Sequence, residues 1–291
     1  MTLIASFDKN NFTQLRQKRV KQLKQSFKKI VTKVPILSDY YQYYWLFNQN
    51  ITACRGIHNT FADALQATPK GAKAGYNQPE IHNHRSVAKL TTTWEPDQFN
   101  PQDYPVLIWL ASAFANSSTI FDLGGNVGHA YYTYKKFLQY PNDLRWKVCD
   151  VLEVIKAGEQ LARKADNPGL SFTAQFADAE GAEILLTCGT LQYIEPSLSE
   201  MLGQLKTKPR HILINRVPFY DGETFITLQN IGYAFCPYKI QNRAEFIASL
   251  ASIGYELIDT WTLNRSCYIP FHPERFVRNY YGFYLRLIEP Q

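Results

Sequence analysis

The run Phe121-Asp122-Leu123-Gly124-Gly125-Asn126-Val127-Gly128 constrains this chain more than any other stretch. An apolar segment over 119–123 reads as a strand, and a glycine-rich turn leads from it into a helix over 127–137. Gly124 and Gly125 allow a tight turn and the approach of a ligand to the main chain. Asn126 tolerates a left-handed backbone better than most side chains, and Gly128 permits close helix–strand packing. The helix start offers unpaired amides. The dinucleotide fingerprint Gly-x-Gly-x-x-Gly does not fit, because Asn126 stands where its second glycine belongs. An acid directly before the turn, Asp122, also suits an ammonium group better than a pyrophosphate. Alone, such a turn is equally an ordinary structural feature.

Downstream the chain alternates strand and helix, as a doubly wound sheet requires. Strands are expected over 119–123, 145–150, 170–174, 183–188, 211–217, 255–263 and 283–287, with helices over 127–137, 152–165, 196–205 and 243–253. No helix separates the last two strands, so they can run antiparallel. The fold class expected is therefore α/β, a seven-stranded Rossmann-like methyltransferase sheet closed by an antiparallel hairpin, with a helical N-terminal extension. Residues 1–50 read as a basic amphipathic extension, 51–118 as an irregular and helical cap, and 119–291 as the sheet domain. A hydrophobic fraction of 45% in 291 residues is enough for such a core and too much for a disordered chain.

The net charge of +6 is unevenly spread. Residues 1–38 hold nine Lys and Arg against Asp8 alone, which leaves the remainder slightly acidic. A nucleic-acid enzyme would more often spread basic charge around its cleft, so no nucleic-acid partner is expected. Residues 12–34 alternate apolar and basic side chains at near-helical spacing up to Pro35. That pattern suits peripheral contact with an anionic membrane surface, and it equally suits an apolar face packed on the body with solvated lysines. An aromatic run follows over 37–50. No apolar run reaches the roughly 18–20 residues of a spanning helix, and the first residues lack a secretory pattern. The five cysteines show no zinc-like spacing, so a reduced cytoplasmic protein without a metal is expected, and membrane contact through residues 12–34 would place it at the inner membrane face.

Asp150 ends the second expected strand, 22 residues after Gly128. A carboxylate there can accept both hydroxyls of a ribose, although it is also a natural N-cap for the helix that follows. With the loop upstream, Asp122, Gly124, Gly125, Asn126, Gly128 and Asp150 point to S-adenosyl-L-methionine, whose methionine end carries an ammonium. Asp178 is placed to meet its adenine amino group. Cys188 and Gly189, at the end of the fourth strand, can approach its sulfonium, with Gln192 and Tyr193 contacting cofactor or acceptor.

Several segments resemble one known family. They are Cys54-Arg55-Gly56-Ile57, Gly75 to Glu80, Asp103 to Leu107, Phe121 to Gly128 with Tyr131-Tyr132, and Arg145 to Asp150. Asn215-Arg216, Thr227 to Asn230, Phe235-Cys236-Pro237-Tyr238 and Ile269 to Glu274 complete the likeness, which spans about Cys54 to Leu287. The family is a group of bacterial methyltransferases, similar at the sheet to class I enzymes and often associated with surface-polysaccharide biosynthesis. The resemblance implies an S-adenosyl-L-methionine-dependent methyltransferase acting on the hydroxyl of a sugar or lipid-linked glycan precursor. A non-catalytic scaffold of a glycan-assembly pathway is the alternative from another class, and a nicotinamide-dependent oxidoreductase a third.

A hydroxyl acceptor needs a base, and histidine is the usual one near neutral pH. Among six histidines, His272 lies in a proline-flanked loop between the last two strands and is the candidate; His82 and His84 lack a third ligand for a metal. Tyr193, Asn215, Arg216 and Tyr238 are the expected acceptor-binding residues, with Arg216 suited to a carboxylate or phosphate.

Overall fold

In a computed structural model, residues 35–49, 52–80, 99–165 and 167–288 are described. Helix α1 (Pro35–Tyr41) and a wide helical turn (Gln42–Leu46) precede strand β1 (Cys54–His58) and helix α2 (Phe61–Gln66). Next come α3 (Tyr104–Ala113), β2 (Thr119–Leu123), α4 (His129–Tyr134), β3 (Arg145–Cys149) and α5 (Leu152–Ala165). They are followed by β4 (Leu170–Thr173), β5 (Ile184–Cys188), α6 (Leu198–Gly203) and β6 (His211–Tyr220). The chain ends with β7 (Phe225–Asn230), β8 (Phe235–Asn242), α7 (Arg243–Ala251), β9 (Tyr255–Leu263) and β10 (Tyr280–Leu287).

Strands β4-β3-β2-β5-β6 lie side by side and parallel. β10 pairs antiparallel with β6, and β9 antiparallel with β10. This is the doubly wound seven-stranded methyltransferase sheet with a closing antiparallel hairpin that the sequence implies. The apolar runs of its central strands are continuous because both faces are covered. Ile120, Ile184, Leu186 and Leu213 pack on one face with Val106, Leu110 and Trp146. Phe121, Leu185, Ile212 and Ile214 pack on the other with Leu202, Phe246 and Leu250. The link between β4 and β5 is short, as expected, and holds one helical turn at Phe176–Ala179.

The sheet does not stop at seven strands. The far end of β6, Phe219-Tyr220, pairs in parallel with β8, and β7 and β1 add antiparallel beyond it. Three strands were therefore missing from the sequence expectation. β7 is buried along its whole length and β8 over its first six residues; the apolar–polar alternation is confined to four residues in each, Ile226 to Gln229 and Tyr238 to Gln241, and Pro237 interrupts the second strand. The segment expected to be an irregular and helical cap contributes β1 to the sheet, and its helix α3 packs into the core under β6. Helix α4 is also shorter than the expected 127–137, while β6 and β10 are longer than expected. The expected basic helix over 12–34, His82 and His84 fall outside the described residues. Among the described residues no helix is long and apolar enough to cross a membrane.

The aromatic run before β1 is held by Phe47. Its side chain is buried against Leu228 and Phe235, and its carbonyl accepts from Asn230 Nδ2 at 2.8 Å. Phe47→Ala is expected to cost about 3–5 kcal/mol, the range for large-to-small changes in a core, and to lower the urea midpoint of unfolding. A change under about 1 kcal/mol would mean that the segment is not part of the folded body.

Candidate active site

The C-terminal ends of β2, β3, β5 and the middle of β6 surround a cavity of about 700 Å³, within the size range of small-molecule sites. Leu123 to Asn126 form its floor, with Asp150 and Val151 after β3 and Ala174 and Phe176 after β4 on one side. Cys188, Gly189 and Thr190 after β5 and Arg216 on β6 form the other side. Tyr76, Asn100, Asp103, His129, Tyr193, Ile194 and Met201 close the wall.

The glycine turn is shaped by what lies against it. A Cβ on Gly124 would collide with the Thr190 side chain, and one on Gly125 with the Asp122 carboxylate. Asn126 takes the left-handed conformation (φ 57°) that its side chain tolerates, and its amide donates to Asp150 Oδ2 at 2.9 Å. Asp150 Oδ1 accepts from Val151 N at 2.8 Å. Asp150 thus ties the end of β3 to the glycine turn; its oxygens bond the amides of Asn126 and Val151, not an amide one or two residues deeper in α5 as an N-cap would. Burial raises its carboxyl to about 6, against the two amides that favour the ionised form. Each oxygen keeps a further lone pair for a ligand hydroxyl.

Asp122 is buried beneath the same turn, where the Trp146 indole N–H donates to Oδ2 at 3.0 Å. Burial lifts its carboxyl to about 7; the Trp146 bond opposes this shift, the charge of Asp150 adds to it, and Arg216 reduces it. Two acids thus lie at the cavity floor, both poised near neutrality, a concentration of perturbed carboxyls that marks functional sites.

Arg216 reaches the wall through a β-bulge. Opposite β6, Tyr281 pairs with Val217 and Phe283 with Ile214, so Asn215 and Arg216 together face Gly282 alone. A Cβ on Gly282 would collide with the Trp261 indole, whose N–H donates to Asn215 Oδ1 at 2.9 Å. Arg216 takes φ 60° in the bulge, and its guanidinium lies 3.4 Å from Asp103 Oδ2. Asp103 Oδ1 accepts from Asn215 Nδ2 at 2.9 Å. Burial works against the Arg216 charge, but Cys188, Asp103 and Tyr134 outweigh it and hold the guanidinium protonated. Among the described residues its buried Nε has no hydrogen-bond partner.

Of the residues expected from sequence, Asp122, Gly124, Gly125, Asn126, Asp150, Cys188, Gly189, Tyr193 and Arg216 stand together in the cavity wall. Gly128 lies behind it, in a left-handed conformation at the start of α4. The other five lie elsewhere. Asp178 is exposed and accepts from the Thr173 hydroxyl, while the neighbouring Phe176 fills the wall. Gln192 turns inward and donates to Gly189 O at 2.8 Å. Asn215 is consumed by Asp103 and Trp261. Tyr238 is buried mid-strand with its hydroxyl on that of Tyr280. His272 lies on the loop after β9, with Nδ1 3.2 Å from Glu274 Oε1. Sequence reasoning gave no role to Asp103, Asn100, Tyr76 or Thr190. Asp103 stood inside a quoted motif, yet nothing local announces a partner 113 residues away.

No protein-family model matches the sequence, and no curated protein matches it. Solved structures similar to this chain include Burkholderia thailandensis 1,6-didemethyltoxoflavin-N1-methyltransferase with bound S-adenosylhomocysteine, at 14% identity, 75% of this chain, 94% of that chain and TM-score 0.45. Magnesium protoporphyrin IX methyltransferase from Synechocystis matches at 13% identity, 70% of this chain, 96% of that one and TM-score 0.43. The N-terminal domain of EvdMO1, crystallised in the presence of S-adenosylhomocysteine and D-fucose, matches at 12% identity, 73% and 98% coverage and TM-score 0.47.

The raised carboxyl of Asp122 sets a pH dependence of stability. Its neutral form is favoured in the fold, so that stabilisation is complete below the unfolded value of about 4 and is lost as pH rises through about 7. Asp122→Asn keeps an oxygen for Trp146 and has no charge to bury. The variant is expected to exceed the parent in stability by about 1–3 kcal/mol at pH 8, with the gap closing near pH 4. Urea titrations at the two pH values check this, and an equal gap at both would refute it.

Proposed function

We propose that this chain is a methyltransferase that uses S-adenosyl-L-methionine. The observation that carries the reading is the pair of carboxyls, buried Asp122 and half-buried Asp150, set below and across a glycine turn that leaves no room for a side chain at Gly124 or Gly125. The cavity residues fit this cofactor. Asp150 accepts ribose hydroxyls, Phe176 and Val151 flank the base, and the backbone of Gly124 and Gly189 admits the chain that bears the sulfonium. The buried charge of Asp122 supports the ammonium end. The cofactor supplies an electrophilic methyl group on a positively charged sulfur.

The chain's own task is then positioning, since in-line transfer depends on the alignment of acceptor and methyl. Tyr76, Tyr193, Ile194 and Met201 form an apolar and aromatic shelf for the acceptor, with Asp103 and Arg216 at its polar end. Of the groups able to take a proton from a hydroxyl, Asp103 and His129 stand in the wall. His272, outside it, is not part of this reading. The acceptor proposed is the hydroxyl of a sugar or glycan precursor in the cytoplasm, supported by the sequence resemblance to enzymes associated with surface polysaccharides. A scaffold that had abandoned catalysis would have no need for the two raised acids to persist beside an open cavity.

Titration calorimetry with S-adenosyl-L-methionine tests the core of this reading. Binding is expected to weaken as pH falls through about 6, because protonation of Asp150 removes an acceptor for the ribose. Asp150→Asn is expected to bind about tenfold or more weakly at pH 8, the scale of a lost hydrogen bond to a charged group, with a flatter pH profile. No heat of binding at about 1 mM ligand would sink the proposal.

A further inference from the structure

We infer that the outer face of α1 and the turn after it is a docking surface for an anionic lipid bilayer. Ile36, Leu37, Tyr40, Tyr44 and Trp45 are 45–67% exposed, although the segment that carries them is firmly held. Phe47 plugs it into the body, the Tyr268 hydroxyl bonds to Asp39, and Arg55 lies 4.2 Å from the centre of the Phe47 ring. Its outward side chains recur at positions 36, 37, 40, 44 and 45, one face of a helix. Phe271, on the loop before β10, extends the patch; its ring meets Tyr40 edge-on at 5.1 Å and Tyr43 at 5.4 Å. Two sequence-distant elements thus build one exposed aromatic surface on an anchored support.

Large exposed apolar surface on a soluble body marks an interaction site, and the residue types select the partner. Tyrosine and tryptophan favour the boundary between headgroups and acyl chains, where the ring is buried and the polar tip stays wet. Charge points the same way. The 34 residues that precede the patch in the chain hold nine Lys and Arg against Asp8, so a concentrated positive charge is tethered to the aromatic face. An anionic lipid surface satisfies both at once, with apolar insertion for the rings and attraction worth about 1 kcal/mol for each Lys or Arg near the headgroups. A neutral protein groove would use the rings and waste the charge. Nucleic acid would use the charge, but an aliphatic pair such as Ile36 and Leu37 offers it nothing.

Flotation of the full chain with vesicles tests this without cofactor or acceptor, so its failure leaves the methyltransferase reading untouched. Vesicles with phosphatidylglycerol at about one lipid in three are expected to retain the protein, and pure phosphatidylcholine to retain little. Binding should fall as salt is raised. The double substitution Tyr44→Ser with Trp45→Ser removes exposed rings only and is expected to weaken partition about tenfold or more, with the unfolding midpoint unchanged. Absence of wild-type partition overturns the inference. So does full binding by the double variant, which would leave the charge acting alone. A dimeric mass in solution that the double substitution abolishes would also overturn it, because the face would then belong to a second copy of the chain.

Discussion

Strand β6 is the constraint on which the rest of this fold is built. It is buried over nearly all of its ten residues and has neighbours on both edges, β5 in parallel and β10 antiparallel, while its far end passes to β8. A strand so enclosed has no freedom to slip, since a shift of one residue would turn its core face outward. The bulge at Asn215-Arg216 is the one place where that regularity is broken, and it is broken toward the cavity. Gly282 and Trp261 explain how the break is held. The absence of a side chain on one strand makes room for an indole from the next, and that indole fixes Asn215. A backbone conformation that is costly for arginine is thereby supported by packing on three strands, and Arg216 is delivered to the wall opposite Asp103.

Much of this was legible in the sequence, for a physical reason. The seven strands of the main sheet appear as compact apolar runs, and the helices between them as periodic ones, because burial on two faces and on one face leave different patterns. Helix α5 shows the clearest amphipathic spacing and begins and ends where expected, Leu152–Ala165. The residues at the cavity floor were legible too, because a glycine turn and the acid after the next strand are local features. What failed was non-local. β7 and β8 bury polar side chains such as Thr227, Gln229 and Lys239 and alternate over only four residues each, and β1 is a five-residue edge strand with a bulge against β7. Tyr238, Asn215 and Gln192 look like binding residues in a motif, but Tyr238 and Asn215 spend their polar atoms inside the protein and Gln192 spends its Nε2 on Gly189. Asp103 and Arg216 come together across 113 residues, a pairing that no local pattern can carry.

The charge distribution of the cavity carries the argument furthest. Asp103, Asp122 and Asp150 line it against Arg216, and Arg216 is already committed to Asp103. Among the described residues the two acids at the floor accept from an indole and backbone amides, and burial has pushed both toward the neutral form. Such groups respond to an incoming ligand in a definite direction. A cation brought within a few ångströms favours the ionised carboxylate and so lowers its pKa, and the two become mutually stabilising in a site of low dielectric. Under the proposed chemistry the ammonium of the cofactor is such a cation, and the product keeps it. The same burial that makes Asp122 costly to ionise in the free protein would then tie its ionisation to the arrival of that ammonium, with cofactor and product alike.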